Sequence, residues 1–305
     1  MHTALVTSWG QPPKYTEIEA PPMPKEGSEL LQIKLIATGL SQLVKSRAAG
    51  THYSAKTLPH VPGADGVGIT ATGQTVYFST MATGGSFSEI INVPKRDITL
   101  LPEGVDPVQA AMLVNPAFSS YLALKTRTFN LPKNFTVVIL GVTTASGGVA
   151  IHIAKEFGAG RVIGIGRNVK AMEALDLDER IQLRDPVEET DLSGLGDVDV
   201  VLDYLYGPPV VYLLKSLNSK RCVQYVQIGS LAGLEASLPS AVLRSKDITM
   251  RGAGPGAWTM QQLAESMPGV LNALKNVPKR NVKVVKLEEV EKVWNDGGER
   301  IVFVP

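Results

Sequence analysis

Cysteine is nearly absent from this sequence, since Cys222 is the only one among 305 residues. A single thiol excludes a disulfide within the chain and any cluster of thiolates that could hold a metal ion. Cys222 opens the apolar run CVQYV, where we expect it to be a buried strand residue. The sequence therefore predicts neither a disulfide framework nor a structural zinc site built from four cysteines.

An excess of charge of either sign is also lacking: 30 Lys and Arg face 29 Asp and Glu, so the net charge is +1. Such a balance gives no global field that would attract nucleic acid or an anionic membrane. No apolar stretch approaches the roughly 20 residues that span a bilayer, and the opening MHTALVTSWG lacks the pattern of a secretory signal. We therefore expect a cytoplasmic protein that contacts neither nucleic acid nor membrane.

The chain is long enough for two domains, and its texture changes between them. The first third carries short β-like runs, such as LLQIKLI at 30–36, separated by proline and glycine turns, which predicts a small, mostly antiparallel β domain. From residue 136 onward, apolar strands alternate with amphipathic helices, which predicts a parallel sheet covered on both faces. Between them, 106–124 is predicted to be a helix in which Pro116 marks a break or kink.

The strongest local signal is a glycine-rich loop between a buried strand, FTVVIL at 135–140, and a helix. Small side chains let a backbone approach a pyrophosphate, and a helix N-terminus offers unpaired N–H groups to its oxygens. Thr144 stands where the usual spacing has a middle glycine, but a second strand follows after about 20 residues, as in nucleotide-binding βαβ units. The loop residues that we predict to contact the cofactor are Gly141, Thr143, Thr144, Ala145, Ser146 and Gly147.

The end of the second strand indicates which nicotinamide cofactor binds. Sites for NAD usually end this strand with an acidic residue, which bonds the 2′-hydroxyl of the ribose. Here the strand ends in GIG at 164–166, followed by Arg167 and Asn168, with Lys170 in the next turn. A guanidinium can hold a 2′-phosphate bidentately, so we predict NADP(H) as the cofactor, with Arg167, Asn168 and Lys170 among its contacts. The alternative at this point is that Arg167 is a solvated surface residue.

Together with further segments, these features resemble the medium-chain dehydrogenase/reductase family, in its zinc-free quinone and enone reductase branch. The segments that carry the resemblance are the glycine-rich loop, AAGTHYS at 48–54, LPHVPGADGVG at 58–68, ITLLPEG at 98–104, IGS at 228–230 and RIVFVP at 300–305. The similarity covers essentially the whole chain. It implies an α/β fold with two parts: a GroES-like β substrate domain at 1–120, completed by 277–305, and a Rossmann doubly wound parallel sheet at 121–276 that binds NADPH.

The chain departs from the zinc-dependent members of this family at two positions. Those members carry a cysteine near position 41 and a Gly-His-Glu segment where this chain has GAD at 63–65. Ser41 and Ala64 cannot replace a thiolate and an imidazole as ligands of a tetrahedral zinc ion. Alcohol dehydrogenase chemistry that uses zinc as a Lewis acid is therefore not expected, and we predict no metal site.

The resemblance also assigns catalytic roles. In reductases similar to this chain, a hydride passes from the nicotinamide to a quinone or to the β-carbon of an enone, and a side chain or water supplies the proton. Tyr53 matches the tyrosine of the family's Gly-Thr-Tyr segment, with His52 inserted before it. Tyr53 and His52 are the catalytic candidates because either side chain could donate a hydrogen bond to a substrate carbonyl. Tyr53 could equally line the cleft without taking part in the chemistry.

By the same resemblance, the cofactor contacts also include Asn115, Tyr204, Ile228, Gly229 and Ser230, although Tyr204 could be only a packing aromatic. Similar proteins pair as homodimers through the edge strand of the Rossmann sheet, here near 248–252. The substrate is expected to be a small molecule. Two other functions stay open: a carbonyl reductase or another redox enzyme of specialised metabolism, and a catalytically silent NADPH-binding protein.

Overall fold

The chain forms two compact units in the computed structural model, which describes residues 1–52, 55, 57–81, 83–298 and 300–305. The strands are β1 (His2–Leu5), β2 (Lys14–Glu17), β3 (Leu30–Gly39), β4 (Asp65–Thr70), β5 (Thr75–Ser79), β6 (Ile90–Pro94), β7 (Ile98–Leu100), β8 (Phe135–Leu140), β9 (Ala159–Gly166), β10 (Glu179–Gln182), β11 (Val200–Asp203), β12 (Val223–Gln227), β13 (Ile248–Gly252), β14 (Lys283–Lys286) and β15 (Ile301–Val304). The α-helices are α1 (Gln42–Ala48), α2 (Pro107–Arg127), α3 (Ala145–Glu156), α4 (Val169–Glu173), α5 (Gly207–Ser216), α6 (Ser240–Ser245), α7 (Met260–Ala273) and α8 (Val290–Val293).

Both boundaries between the units fall inside helices. Unit 1 comprises Met1–Val114 and Met267–Pro305, and unit 2 comprises Asn115–Ser266. The sequence predicted the first boundary after residue 120, further along α2, and the second after residue 276, just beyond α7. A boundary inside a helix coincides with no turn or change of composition, so the sequence offers no signal that marks it.

Unit 1 is organised around a largely antiparallel sheet in the order β14-β15-β3-β4-β5-β7, with β6 also paired to β3. The long strand β3 pairs antiparallel with β4, β6 and β15, so the end of the chain completes the sheet that the first third begins. Phe78, Phe87 and Phe303 are fully buried within this unit. The predicted, mostly antiparallel β domain is confirmed, although β14 and β15 pair parallel.

Helix α2 continues through Pro116, where the sequence predicted a break or kink. A proline inside a helix leaves the carbonyl four residues earlier without its usual donor. That carbonyl belongs to Met112, and the guanidinium of Arg300 donates to it at 2.9 Å. The helix is therefore uninterrupted because a side chain from the end of the chain replaces the hydrogen bond that the proline removes.

Unit 2 contains a six-stranded sheet in the order β10-β9-β8-β11-β12-β13. All neighbouring strands are parallel. The first three strands lead outward to one edge and the last three to the other, which is the doubly wound order of dinucleotide-binding sheets. Every residue of β8 is buried, as a central strand covered on both faces requires. The predicted α/β fold with a doubly wound parallel sheet is confirmed.

Cys222 differs from the prediction of a buried strand residue. It precedes β12 and is only partly buried. Its thiol contacts Asp247, and burial together with this contact raises the pKa of Cys222. The apolar run therefore enters the sheet one residue later than its composition indicates.

Strand β10 was not predicted from the sequence. Its four residues, ERIQ, lie at one edge of the sheet and contain a single apolar side chain. An edge strand needs no continuous apolar run, so neither alternation nor hydrophobicity indicates it. In the part of the chain described, no helix is both long and apolar enough to cross a membrane.

Candidate functional site

Most of the predicted cofactor residues follow the carboxyl ends of strands in the sheet of unit 2. In a doubly wound parallel sheet the strands end at the same edge, and a crevice opens where the winding reverses, here between β8 and β11. The loop 141–147 follows β8, Arg167 follows β9, Tyr204 follows β11 and 228–230 follow β12. The topology thus brings residues from four strand ends to the crevice.

The glycine-rich loop is a tight turn in which two glycines are required. Gly141 has a φ of +92°, and its N–H donates to the carbonyl of Ile165 at 2.8 Å. A Cβ on Gly147 would lie 2.3 Å from the carbonyl oxygen of Gly141, so α3 can close against the loop only without a side chain there. Thr144 is the N-cap of α3, because its hydroxyl accepts from the N–H of Gly147 at 3.0 Å. The residue that breaks the usual glycine spacing therefore has a structural role of its own.

The first turn of α3 leaves donors for a ligand. Within the described chain, no hydrogen bond engages the N–H groups of Ala145 and Ser146. The helix is twelve residues long, so its dipole adds positive potential at the same end. Backbone donors, a positive dipole end and the absence of bulky side chains fit the pyrophosphate of a dinucleotide.

Arg167 and Lys170 are exposed directly after β9, next to the glycine-rich loop. Among the residues described, neither has an ion-pair partner, and the segment 164–170 contains no acid that would repel a phosphate. A Cβ on Gly166 would lie 3.2 Å from the Cγ2 of Thr143, so Thr143 covers the end of β9. Asn168 caps α4, since its Oδ1 accepts from the N–H of Ala171 at 3.0 Å. The two exposed cations and the loop thus share one corner of the sheet.

Asp203 ties together the ends of β11 and β12. Its Oδ1 accepts from the N–H groups of Leu205 and Tyr206, at 2.8 and 2.9 Å, and its Oδ2 accepts from the hydroxyl of Tyr225 at 2.7 Å. Burial raises the pKa of Asp203, and these hydrogen bonds oppose the shift. The carboxyl is fully buried and accepts hydrogen bonds from the protein itself. It therefore holds together the strand ends that border the crevice.

The segment 228–230 lies against the end of β11. The carbonyl of Asp203 accepts from the N–H groups of Ile228 and Gly229, at 2.8 and 3.0 Å. A Cβ on Gly229 would lie 2.7 Å from the carbonyl oxygen of Tyr204, so the two loops touch through their backbones. Ser230 lines an open cavity of about 490 Å³ beside β13.

Tyr204 is buried, with its ring inside unit 2. Burial raises the pKa of the Tyr204 hydroxyl, while the nearby hydroxyls of Ser119 and Ser120 lower it. No hydrogen bond of standard geometry to Tyr204 Oη is formed within the described chain. Its ring therefore packs in the interior of unit 2, and its backbone carbonyl lies against Gly229. Asn115 is exposed on α2, one helical turn before Ser119.

Of the two catalytic candidates, His52 lies in unit 1. Tyr53 falls outside the described residues. His52 follows α1, and its N–H donates to the carbonyl of Ser46 at 3.2 Å. Burial, and then the positive charge of Arg47, lowers the pKa of His52. The imidazole is therefore mainly neutral at neutral pH, where it could donate a hydrogen bond from a ring N–H but holds no additional proton.

Arg47 and Asp65 were not predicted from the sequence as site residues. Arg47 is half-buried, which lowers its pKa, and its Nη1 lies 3.7 Å from the sulfur of Met81. Asp65 is 8% exposed, and the hydroxyl of Tyr77 donates to it at 2.9 Å. Burial raises the pKa of Asp65 to about 6, against the opposing hydrogen bond from Tyr77. The sequence signal that could have indicated Asp65 is an acidic residue among small apolar residues, in GADGVG at 63–68.

The two positions that hold zinc ligands in zinc-dependent relatives have local roles here. Ser41 caps α1, since its hydroxyl accepts from the N–H of Val44 at 3.3 Å. Ala64 is buried in a hydrophobic cluster of unit 1. Across the described ranges, three or more His, Cys, Asp or Glu side chains are nowhere grouped so that they could hold a metal ion.

Comparison with known proteins finds relatives that are named as quinone reductases or quinone oxidoreductases. No protein-family model matches the chain. The probable NADPH-dependent quinone reductase tdiC of Emericella nidulans is 32% identical over 357 aligned positions, which cover 100% of both chains. A quinone oxidoreductase of Sus scrofa is 30% identical over 152 residues, 47% of this chain and 45% of the relative.

Solved structures agree in fold. The quinone oxidoreductase from Thermus thermophilus, whose complex with NADPH is also known, superimposes with a TM-score of 0.78 over 100% of both chains, at 22% identity. At this identity the likeness concerns the fold alone, whereas the Emericella relative is similar in sequence along its full length. The chain therefore belongs to the medium-chain dehydrogenase/reductase family, in its quinone reductase-like branch.

Proposed function

We propose that this protein is an NADPH-dependent quinone reductase. The observation that carries the proposal is the corner of the sheet in unit 2 where the glycine-rich loop meets Arg167 and Lys170. The glycine-rich loop leaves no room for a side chain at Gly147, so its backbone can approach a pyrophosphate. The two exposed cations can bind a 2′-phosphate. The names of the relatives from Emericella nidulans and Sus scrofa support a quinone as the substrate.

The chain offers one residue set for the pyrophosphate of NADPH and another for its 2′-phosphate. The N–H groups at the start of α3 would bind the pyrophosphate, with Gly141, Thr143, Thr144, Ala145, Ser146 and Gly147 around it. Arg167 would hold the 2′-phosphate bidentately, with Lys170 adding charge and Asn168 fixing the first turn of α4. The remaining contacts in the proposal are Asn115, Tyr204, Ile228, Gly229 and Ser230. For Tyr204 the backbone is the contacting part, since its ring is buried.

The chemistry in this proposal needs little from the side chains. When bound, NADPH would supply a hydride, and a side chain or water would supply the proton that completes reduction of the quinone to the hydroquinone. Tyr53 or His52 would donate a hydrogen bond to the quinone oxygen and stabilise the negative charge that develops there. His52 would act as a neutral donor, because its pKa lies below the ordinary value. The proposed assembly is a homodimer formed through β13.

The test compares the two nicotinamide cofactors and then several substrates. We expect NADPH to bind at least about tenfold more tightly than NADH, and Arg167→Ala to remove most of this difference of about 1.4 kcal/mol. Arg244→Ala, an exposed arginine of α6, is the control and should leave the preference unchanged. Equal affinities of the wild-type protein for NADPH and NADH would refute the cofactor assignment.

Turnover is then measured as the loss of NADPH absorbance with quinones, conjugated enones and simple aldehydes. We expect quinones to be reduced fastest, because a quinone accepts a hydride with little help from an acid. Faster reduction of aldehydes would instead indicate a carbonyl reductase. NADPH binding without turnover of any member of the panel would indicate a catalytically silent protein.

A further inference from the structure

Arg180 of β10 directs its guanidinium to the backbone. Its Nε donates to the carbonyl of Met172 at 2.9 Å, and its two Nη atoms donate to Leu177 at 3.0 Å and to Leu175 at 2.6 Å. Met172 belongs to α4, and the two leucines lie in the turn between α4 and β10. A guanidinium is a planar fork with fixed donor directions, so three bonds from it define the shape of the turn that they join.

The side chain of Met172 packs against Gly166 at the end of β9. It is 1% exposed, and a Cβ on Gly166 would lie 3.4 Å from its sulfur. The same Cβ would lie 3.2 Å from the Cγ2 of Thr143. Met172 and Thr143 therefore both pack over Gly166, next to the start of the segment that carries Arg167.

The side chain of Leu177 packs over Gly164, two residues before Gly166 on β9, as Met172 packs over Gly166. A Cβ on Gly164 would lie 2.5 Å from the Cδ1 of Leu177 and 2.9 Å from the Cγ1 of Val142. Val142 is fully buried and follows Gly141 in the loop. Two of the three carbonyls that Arg180 holds thus belong to residues whose side chains pack beside the loop.

We propose that Arg180 is a positioning residue for the cofactor, which holds α4 and the glycine-rich loop in one fixed arrangement. The inference rests on the proposed NADPH site. Arg180 joins the two parts of that site: the loop for the pyrophosphate, which Met172 and Leu177 support, and the segment of Arg167 and Lys170 for the 2′-phosphate. Without Arg180 the turn 174–178 loses two hydrogen bonds and α4 loses one, and both parts of the site can shift independently.

The test is a titration of the purified protein with NADPH and with NADH, followed by cofactor or tryptophan fluorescence. We expect Arg180→Met to weaken NADPH binding by about tenfold and NADH binding by less, because only NADPH uses the 2′-phosphate contacts. At saturating NADPH, kcat with a quinone should change by less than about twofold, since Arg180 acts on binding and not on the transferred hydride. Arg180→Lys retains a cation but not the fork, so we expect an intermediate affinity.

Arg161 provides a matched control in the same sheet. It donates to the carbonyls of Leu195 and Gly194, at 2.8 and 3.1 Å, but it stands near the start of β9, at the opposite end from the loop. Arg161→Met removes two backbone bonds and also the ion pair of Arg161 with Glu179 of β10, and it should still leave NADPH affinity within about twofold of wild type.

Three results separate the inference from the proposed function. NADPH affinity of Arg180→Met equal to that of wild type, or an equal loss in Arg161→Met, would overturn the role of Arg180 and leave the cofactor site intact. A wild-type protein that binds neither cofactor would overturn the proposed function and this inference with it. If Arg180→Met does not fold, Arg180→Lys decides: an unchanged NADPH affinity contradicts the inference, and a weakened affinity with unchanged kcat supports it.

Discussion

At the scale of single residues, Arg167 and Asp65 both lack a partner of opposite charge in the part of the chain described, but they differ in burial. Arg167 is exposed, so water stabilises its charge and a phosphate can replace that water. Asp65 is buried, and among the described residues the Tyr77 hydroxyl is the donor to its side chain. Burial of a carboxylate without a cation favours its protonated form. The first group is therefore available for a ligand, and the second couples the stability of unit 1 to pH.

The pH dependence follows from the sign of the shift. The pKa of Asp65 is raised from 3.8 to about 6 in the folded chain, which therefore holds its proton more tightly than the unfolded chain does. As pH rises from about 4 to about 6 the unfolded state loses this proton first, so the free energy of unfolding falls, by about 3 kcal/mol in total.

Asp65→Asn should remove this loss, because its amide oxygen can still accept from Tyr77 and cannot ionise. We expect the variant to be more stable than wild type by about 1–3 kcal/mol near pH 8 and of similar stability near pH 4, in urea denaturation. Glu26→Gln removes an exposed carboxylate and serves as the control, with little change expected at either pH. A difference between Asp65→Asn and wild type that did not vary with pH would contradict the assignment.

At the scale of elements, the sequence predicted what local patterns determine. Apolar runs predicted β8 and β9 because a central parallel strand is buried on both faces. The glycine-rich loop was predicted because a tight turn restricts residue type. Strand β10 was missed because it is a polar edge strand, and its Arg180 was missed because its partners are backbone carbonyls. Hydrogen bonds from a side chain to backbone carbonyls leave no pattern in the sequence, since every residue type offers a carbonyl.

Gly147→Ala tests whether the close approach of α3 to the loop is needed for binding. The added Cβ would lie 2.3 Å from the carbonyl oxygen of Gly141, which is backbone and cannot rotate away. We expect NADPH affinity to fall by more than about tenfold and unit 2 to lose about 1–3 kcal/mol of stability. Gly194→Ala is the matched control, since a Cβ there has no atom of the described chain within 4 Å. Unchanged NADPH affinity in Gly147→Ala would show that the pyrophosphate does not lie at this loop.

At the scale of the whole molecule, the sequence predicted an antiparallel β part and a doubly wound parallel sheet, and both are observed, but it carries no signal inside α2 or α7 where the two compact units divide. The strand patterns at 30–36 and 135–140 are local, whereas the division inside α2 and α7 depends on which contacts each helix residue makes. The same limit applies to the bond from Arg300 to Met112, which joins residues 188 positions apart and keeps α2 intact across Pro116. Which of the catalytic candidates Tyr53 and His52 takes part in the proposed chemistry could not be predicted, because this depends on a substrate that the sequence does not specify.

The edge strand β13 is a candidate surface for assembly of two copies of the chain. Strand β13 is the final strand in the sheet of unit 2, and within the described chain its outer edge has no paired strand. Its middle residue, Met250, is 41% exposed and lines the open cavity beside the strand, together with Tyr206 and Leu234. An unpaired edge with apolar side chains is a surface on which a second copy can continue the sheet about a two-fold axis.

We expect a dimer in light scattering at micromolar concentration, and Met250→Lys should give a monomer. Two copies of the new lysine would approach each other near the two-fold axis, where burial of like charges is unfavourable. Met23→Lys is the matched control, because Met23 is 66% exposed in unit 1 and lies outside β13, so this variant should remain a dimer. A monomer mass for the wild-type protein, or a dimer that persists in Met250→Lys, would rule out assembly through this strand.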